Sequence, residues 1–384
     1  MLRRDFIKKT IAASAAVPFV SVKLRAQDAP LPALPISVPK KTKLPRYRGF
    51  NLLNMFLNTG NKFKGSGNYD LGPFHEEDFE IIKGWGFDFA RLPLSYWCWS
   101  SEDDWFRMDE NTLKQLDQAV EWGKQYGVHI NINFHRAPGY CINPDPEITL
   151  KTNLFTDEAP LEAFCFQWKK LAERYKGIPS SRLSFDLVNE PPGNPKLRDG
   201  YIRVVRAAVK AIRDADADRL ICADGYAVGG RAVDEFADIE NFFQSSRGYA
   251  PSEVTHYKAH WNKYIMNMKD LTEETLSWPL KFRGKTYDKN FLRELYRKNW
   301  DSWEMLGGSV HCGEFGCYNQ TPARVANAWF KDELAVLKER NWGWALWRLR
   351  GAFGVIDNDR PGSKFENFRG GKLDRELLEI LKQG

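Results

Sequence analysis

Short apolar runs alternate with longer segments of helical periodicity from about residue 46 to the end of the chain. Strands alternating with helices indicate parallel βα units, and eight such units predict one (β/α)8 TIM barrel. The predicted strands are Tyr47–Leu52, Phe87–Leu92, Val128–Phe134, Leu183–Asn189, Leu220–Ala223, Val254–His256, Val310–Glu314 and Gly343–Trp347. The predicted helices are Glu77–Lys83, Asn111–Tyr126, Leu161–Tyr175, Gly200–Asp214, a weak one near Val233, Asn290–Glu304, Pro322–Arg340 and Asp374–Lys382.

The segment Asn111–Tyr126 shows the helical pattern clearly. Leu113, Leu116 and Val120 fall close to one face of a helix, and Gly127 provides a stop signal directly after it. Its apolar face would cover the outside of the barrel. We find no internal repeat and no second domain, so residues 46–384 are expected to form a single catalytic barrel with long loops at its C-terminal face.

The N-terminal residues 1–26 have the pattern of an export signal. Arg3-Arg4-Asp5-Phe6-Ile7-Lys8 matches a twin-arginine motif, and an apolar run from Ile11 to Val22 follows it. The run is too short to span a bilayer and contains no lipid-accepting cysteine. Cleavage after Ala26 would release a periplasmic or extracellular protein without a membrane anchor. An amphipathic N-terminal helix is the alternative.

Residues 27–45 are rich in proline and predict an extended linker, or an arm that packs against the barrel. The formal charge of +6 is modest for 384 residues, and part of it falls in the first fifty. Because the body of the chain has no concentrated basic stripe, the composition argues against a nucleic-acid partner. Aromatic residues reach 14%, which suits both core packing and the stacking of sugar rings.

The cysteine and histidine content bears on cofactors. The chain has six cysteines, Cys98, Cys141, Cys165, Cys222, Cys312 and Cys317, and an even count in an exported protein permits disulfides. Buried free thiols are the alternative. No cysteine spacing resembles a zinc site, and none of the six histidines forms a His-x-His pair. We therefore expect neither a metal nor an organic cofactor, which argues against a metal-dependent barrel hydrolase.

Polar residues close the apolar strands one after another. In a (β/α)8 barrel the chemistry lies at the C-terminal ends of the strands. The residues there are Asn51, Arg91, His135, Asn189, Glu190, Asp224, Glu314 and Trp347. Pro191 ends one strand directly after Glu190, and glycines flank the segment of Glu314. Glycoside hydrolysis needs one protonated and one ionised carboxyl group. A lone glutamate would be a solvated loop residue, but this pair predicts catalysis.

From about Arg48 to Lys382 the chain resembles glycoside hydrolase family 5, the cellulase-like retaining β-glycosidases with catalytic glutamates on strands four and seven. The motifs that carry the resemblance are Arg48-Gly49-Phe50-Asn51-Leu52, Gly86-Phe87-Asp88-Phe89-Ala90-Arg91-Leu92-Pro93, His135-Arg136-Ala137-Pro138-Gly139, Asn189-Glu190-Pro191, Gly313-Glu314-Phe315-Gly316 and Trp347-Arg348-Leu349-Arg350-Gly351. Several motifs in order are more specific than Asn-Glu-Pro alone.

The resemblance implies a role for each matching residue. Glu190 would be the acid/base and Glu314 the nucleophile, while Asn189 would hydrogen-bond the sugar 2-hydroxyl. Arg91 would lie beneath Glu314 and keep it ionised, a role compatible with a salt bridge in the barrel floor. His135 would border the sugar site, with a purely structural histidine as the alternative.

Two further positions complete the comparison. Trp347 would form the platform under the scissile sugar, with core packing as the alternative. The family's His-x-Tyr after strand six is best matched by Arg247-Gly248-Tyr249, so that an arginine stands where histidine is expected. Arg247 would point at Glu314, or offer its donors to the substrate, or merely pair with a surface carboxylate such as Glu253.

The sequence leaves the substrate open. The first choice is β-1,4-glucan, followed by a β-mannanase and an exo-acting β-glucosidase; a transglycosylase and a non-catalytic sugar-binding barrel are further alternatives. Loops decide among such substrates. Gly139–Pro160 and Tyr257–Asp288 are long, and the second carries Trp261, Tyr264, Trp278 and Tyr287. Such loops either close one end of the cleft for exo action or add subsites for endo action. We expect the enzyme to act as a monomer on carbohydrate.

Overall fold

A computed structural model describes residues 43–56, 73–142 and 150–384. Eight strands form a parallel sheet in which each strand pairs with its neighbours along the chain and the last pairs with the first, so the sheet closes into a barrel. The predicted (β/α)8 fold is confirmed. The strands are β1 Arg48–Asn51, β2 Phe89–Ser95, β3 His129–Ala137, β4 Leu183–Asp186, β5 Leu220–Asp224, β6 Phe242–Gly248, β7 Ser309–Phe315 and β8 Gly343–Leu346.

Helices cover the outside of the barrel. This explains why strands such as β2, β3 and β5 are buried along their whole length rather than on alternate residues. The longer helices are α1 Glu76–Gly84, α2 Glu110–Tyr126, α3 Glu158–Arg174, α4 Arg198–Ala215, α5 Lys289–Met305, α6 Ala323–Glu339 and α7 Arg375–Gln383. Short α-helical segments occur at Tyr226–Gly229, Ser252–Thr255 and Lys263–Met266, and 3-10 turns at Tyr96–Cys98, Pro195–Leu197 and Asp234–Phe236.

Three short antiparallel segments complete the fold. Tyr140–Cys141 pairs with the end of β3, whereas Leu280–Phe282 pairs with Lys285–Tyr287 and Phe365–Phe368 pairs with Gly371–Asp374. The weak helix expected near Val233 is a 3-10 turn at Asp234–Phe236. Many of the aromatic residues serve the core: Trp168, Trp300, Trp329, Trp342 and Trp344 are among the largest fully buried side chains.

Helix α2 forms as its sequence predicts. Asp109 caps its N-terminus by accepting a hydrogen bond of 2.8 Å from the Thr112 backbone N–H. Gly127 ends it in a left-handed conformation, with φ of 66°, that glycine adopts without strain. Leu113, Leu116 and Val120 are buried against the barrel.

The predicted strand at Val254–His256 is wrong. Its first two residues belong to a short helix, Ser252–Thr255, and the sixth barrel strand is β6, twelve residues upstream at Phe242. β6 lacks a continuous apolar pattern because its polar side chains are used inside the protein. Gln244, for example, is fully buried, accepts from the Val233 backbone N–H at 2.9 Å and donates to the Val233 carbonyl at 3.0 Å.

Two predicted strands are shorter than expected. β4 ends at Asp186, and Asn189 and Glu190 follow it in an irregular segment, where the Asn189 N–H donates to the Phe134 carbonyl at 3.1 Å. β8 ends at Leu346, and the next residue, Trp347, donates from its backbone N–H to Phe315 at 2.9 Å. Both irregular ends therefore remain tied to neighbouring strands, which fixes the side chains they carry.

Candidate active site at the C-terminal ends of the strands

The two glutamates predicted to be catalytic meet at the C-terminal end of the barrel. Glu190 follows β4 and Glu314 lies in β7, and both contact the guanidinium of Arg247 from β6. Arg247 Nε donates to Glu190 Oε1 at 2.9 Å, and its Nη2 lies 3.3 Å from Glu314 Oε1. One cation therefore serves both carboxyl groups.

Arg91, from β2, is the second buried cation and is only 1% exposed. Its Nη1 donates to Glu314 Oε1 at 2.7 Å, and its Nε donates to Asp186 Oδ2 at 2.8 Å. The remaining donors bind the side-chain oxygens of Asn51 at 3.1 Å and Asn189 at 2.9 Å. The structure thus places Arg91 under Glu314, where the sequence comparison put it.

Glu314 lies among cations and hydrogen-bond donors. Its side chain is 3% exposed and lies against two guanidinium groups, those of Arg91 and Arg247. The Tyr249 hydroxyl donates to its Oε2 at 3.2 Å, and the His135 ring lies 4.0 Å from its Oε1. Both oxygens of the Glu314 carboxyl group therefore contact donors of the protein.

The surroundings of Glu190 favour its protonated form. Burial, together with the negative charge of Glu314, raises the pKa of Glu190 to about 7, while Arg247 opposes this shift. Its side chain is 12% exposed, more than that of Glu314. A carboxyl group with a raised pKa is suited to the acid/base role.

Asn189 is oriented by both arginines. Its Oδ1 accepts from Arg91 Nη2 at 2.9 Å and from Arg247 Nη2 at 2.8 Å. Since guanidinium groups only donate, the amide oxygen must face them and the NH2 group must face the other way. Nδ2 lies 3.4 Å from His135 Nε2.

His135 and Trp347 form an aromatic corner of the site. Their rings stack with centroids 5.5 Å apart, and Phe56 packs edge-on against His135 at 4.6 Å. Burial and the nearby arginines, Arg136 first among them, lower the pKa of His135 well below its usual value. The histidine is therefore neutral. Trp347 is only partly buried, which leaves part of its ring for a ligand.

Arg247 does not pair with Glu253. Glu253 instead accepts hydrogen bonds from the hydroxyl groups of Tyr264 at 3.1 Å and Tyr287 at 3.4 Å. Arg247 points inward toward Glu314, which is one of the orientations that the sequence left open. Tyr249, two residues later, reaches the same carboxylate, so this loop supplies two side chains to the site.

Two buried aspartates of the site received no role from the sequence. Asp224, at the end of β5, accepts from the Glu190 backbone N–H at 2.7 Å and from Arg247. Asp186 pairs with Arg91, and burial raises the pKa of Asp186 to about 7 against the opposing charge of Arg91. The position of Asp224 at a predicted strand end was the available signal. Asp186 lies within an apolar run and gave none.

The loop after β6 forms one rim of the site. The rings of Tyr249 and His256 are 5.2 Å apart, and Trp261 packs edge-on against His256 at 6.4 Å. Trp261 is 47% exposed, whereas Tyr287 is 8% exposed and belongs to the core. The aromatic residues of this long loop thus divide into a buried group and an exposed one.

The remaining chemistry-bearing groups are not clustered. Each of the six cysteines lies in the described part of the chain, and Cys141, Cys165, Cys222, Cys312 and Cys317 have free thiols. Within residues 43–56, 73–142 and 150–384, no group of three or more histidine, cysteine or acidic residues is placed to hold a metal ion. Over the same residues, no helix is long and apolar enough to cross a membrane.

A (β/α)8 barrel with two glutamates on a shared arginine at the C-terminal ends of its strands has the arrangement of a barrel glycosidase. The family model for cellulase, glycosyl hydrolase family 5, matches residues 57–352, and the chain belongs to this family. The resemblance seen in the sequence is thereby confirmed. The protein is a cellulase-like O-glycosyl hydrolase of the retaining type.

Individual relatives agree with this assignment. Endoglucanase C of Acetivibrio thermocellus is 28% identical over 329 residues, which is 80% of this chain and 90% of that protein. Cellodextrinase A of Ruminococcus flavefaciens is 24% identical over 260 residues, 67% of this chain and 72% of that protein. A crystal structure of a glycoside hydrolase is 37% identical with a TM-score of 0.79, covering 88% of this chain and 99% of its own.

A more distant structure shares the fold. Cel5A of Thermotoga maritima, solved with cellobiose, is 24% identical with a TM-score of 0.66, covering 88% of this chain and 96% of its own. It supports the barrel architecture only.

Proposed function

We propose that the protein hydrolyses β-1,4-glucan by double displacement, with Glu190 as acid/base and Glu314 as nucleophile. The observation that carries this proposal is the contact of both carboxyl groups with one cation, Arg247. Glu314 contacts the guanidinium groups of Arg91 and Arg247, whereas the pKa of Glu190 is raised to about 7. For retention, the two carboxyl groups are expected to lie about 5–5.5 Å apart.

In the first step a carboxylate oxygen of Glu314 attacks the anomeric carbon, and the bond to the glycosidic oxygen breaks. Glu190 gives its proton to that oxygen, so the shortened glucan leaves as an alcohol and Glu190 becomes a carboxylate. In the second step Glu190 takes a proton from water, whose oxygen attacks the anomeric carbon and releases Glu314. Two inversions return the β configuration.

The neighbouring side chains support these steps. The Asn189 Nδ2 group, which faces away from the two arginines bound to Oδ1, would donate to the sugar 2-hydroxyl as positive charge develops on the ring. Tyr249 donates to Glu314 Oε2, the oxygen that Arg91 leaves uncontacted, and so orients the nucleophile. Trp347 would provide the flat surface beneath the sugar.

The choice of β-1,4-glucan rests on the relatives and on the rim. Endoglucanases are among the similar proteins. The ring of Trp261, on the loop after β6, is 47% exposed and would stack on a sugar beyond the scissile bond, which would favour endo action on a chain. A panel of glucans, mannan and aryl glycosides, analysed by product length, separates endoglucanase from mannanase and from exo-acting β-glucosidase. Monomeric glucose as the sole early product would contradict endo action.

Exchange of each glutamate tests the catalytic roles. Glu314→Gln should lose nearly all activity because no nucleophile remains. Glu190→Ala should be slow, should act best on substrates with good leaving groups, and should be partly rescued by azide, which replaces water without needing a base. Glu235→Gln is the control, since Glu235 is a surface residue paired with Arg198. Wild-type rates in both catalytic variants would contradict the assignment.

We also propose that residues 1–26 act as a twin-arginine export signal and residues 27–45 as an extended arm. Nearly all of this part lies outside the described residues, so the proposal rests on Arg3-Arg4 and the apolar run that follows. Carbohydrate is the expected partner, and a monomer the expected state.

A further inference from the structure

We propose that Asp224 is a positioning residue: with Arg247 it holds the acid/base Glu190 in place and keeps one guanidinium shared between the two catalytic carboxyl groups. The inference rests on the proposed function of Glu190 and Glu314. It adds a residue from β5, a strand to which the reaction scheme above assigns no role.

Asp224 fixes the backbone of Glu190. Asp224 is fully buried, and its Oδ2 accepts from the Glu190 N–H at 2.7 Å. Glu190 has φ of 48°, in the left-handed region that residues other than glycine adopt only when their surroundings impose it. Tyr201 in turn donates to the Asp224 carbonyl from α4. The aspartate therefore holds the strained peptide that aims the Glu190 carboxyl group.

The same carboxyl group anchors Arg247. All five N–H donors of the Arg247 guanidinium are directed at acceptors of the protein. Nε donates to Glu190 at 2.9 Å, Nη1 to the Ser245 hydroxyl at 2.9 Å and the Ser246 carbonyl at 3.1 Å, and Nη2 to Asn189 at 2.8 Å and to Asp224. The guanidinium is thus built into the site, and its donors are all used by acceptors of the protein.

Two glycines make room for this arginine. A Cβ on Gly229 would lie 2.6 Å from Arg247 Cγ, and one on Gly313 would lie 3.3 Å from its Nη1. Gly229 also has φ of 70°. The absence of a side chain at these two glycines therefore leaves space for the long side chain of Arg247.

The shared cation matches the movement of charge in the reaction. Before the first step Glu314 carries the negative charge; after the ester forms, Glu190 carries it. Because Arg247 already contacts both groups, at 3.3 Å and 2.9 Å, the charge stays paired without a side-chain movement. Without an opposing charge, Arg247 would lower the pKa of Glu190 and favour loss of its proton. The charge of Asp224 raises that pKa and so counters the effect of Arg247.

Several titratable or charged groups, from different strands and loops of the barrel, lie near Glu190. Burial, the charge of Glu314 and that of Asp224 raise the pKa of Glu190, and Arg247 lowers it. The Tyr140 hydroxyl donates to the Glu190 carbonyl at 2.5 Å. Tyr249 and Arg91 contact Glu314, and Asp186 pairs with Arg91. The two variants below therefore change opposite charges near one titrating carboxyl group.

The test is the pH dependence of kcat/KM on a soluble glucan or an aryl cellobioside. Asp224→Asn removes a negative charge and should move the basic limb down by about one pH unit. Arg247→Gln removes the positive charge and should move that limb up by about one unit. In the double variant, the basic limb should lie closer to its wild-type pH than in either single variant. Arg247→Lys keeps the charge but loses the fork of donors, so kcat should fall while the limb stays in place.

The control is Asp216→Asn, which breaks the buried Asp216–Arg219 pair of 2.7 Å at the opposite end of the barrel and should leave the limbs unmoved. The proposal would be overturned if the basic limb did not move in Asp224→Asn and Arg247→Gln, or if it moved in the same direction in both. If Asp224→Asn does not fold, the comparison of Arg247→Gln with Arg247→Lys decides it. Failure of azide rescue in Glu190→Ala would instead count against the proposed function alone.

Discussion

Glu333, on helix α6, is a buried acid with consequences for stability at alkaline pH. It is fully buried between the helix and the barrel, where its Oε1 accepts from the Tyr296 hydroxyl. Its Oε2 has no hydrogen-bond partner among the described residues. A Cβ on Gly248 would lie 2.6 Å from Oε1, so the carboxyl group sits directly behind β6. Burial raises the pKa of Glu333 from 4.5 to about 8.

The size of the effect follows from linkage. Each unit of pKa difference corresponds to about 1.4 kcal/mol, so the rise from 4.5 to about 8 corresponds to about 5 kcal/mol. The folded form keeps the proton while the unfolded chain loses it. The stabilisation is therefore fully present below pH 4.5 and is lost as the pH rises through about 8. Glu333→Gln cannot ionise at this position, so its free energy of unfolding should not show this decrease as the pH rises.

Thermal melting of wild type and Glu333→Gln from pH 4 to 9 measures the difference. For a chain of this length, about 5 kcal/mol corresponds to a change of about 6 °C in melting temperature. The melting temperature of the variant, relative to that of wild type, should therefore increase by this amount as the pH rises. Glu339→Gln is the control, because Glu339 lies on the same helix but is paired at the surface with Arg293. Melting curves of Glu333→Gln that run parallel to wild type would refute the reasoning.

Four further outcomes are expected. Proton NMR of the first-formed sugar should show the β-anomer, and an initial α-anomer would exclude retention. In wild type kcat/KM should fall as the pH rises through about 7, where Glu190 loses its proton; activity constant to pH 9 would contradict its role as the acid. Trp261→Ala should weaken kcat/KM about three- to ten-fold on long glucans and little on short aryl glycosides, and an equal loss on both would remove its stacking role. Replacing Arg3 and Arg4 by lysine should leave precursor in the cytoplasm, detectable by fractionation; normal export would mean another route.

The sequence predicted the barrel and its two glutamates because both depend on local pattern. Seven of the predicted strands correspond to barrel strands, since each combines an apolar run with flanking helices. Pro191 marks the end of the segment that carries Glu190, which placed this carboxyl group at the catalytic face without any knowledge of tertiary structure.

The failures have tertiary causes. β6 was missed because Gln244, Ser245 and Ser246 are polar, and their partners inside the barrel cannot be read from periodicity. Val254 and Thr255 were predicted to lie in a strand although they lie in a short helix. Likewise nothing in a linear pattern shows that Asp224 bonds the backbone of Glu190, because the two residues lie on different strand ends.

Arginine at position 247 brings a permanent positive charge into the site. Histidine, which the family comparison leads one to expect here, is able to be neutral, whereas arginine is always charged and adds a permanent cation beside Arg91. Four carboxyl groups contact these two cations, those of Asp186, Glu190, Asp224 and Glu314. In the proposed mechanism Glu314 loses its negative charge when the glycosyl ester forms and Glu190 gains one, so the total charge of the two glutamates is unchanged. Under the proposed mechanism a permanent cation is therefore compatible with catalysis, provided that Asp224 balances it and the reaction exchanges charge between the two glutamates.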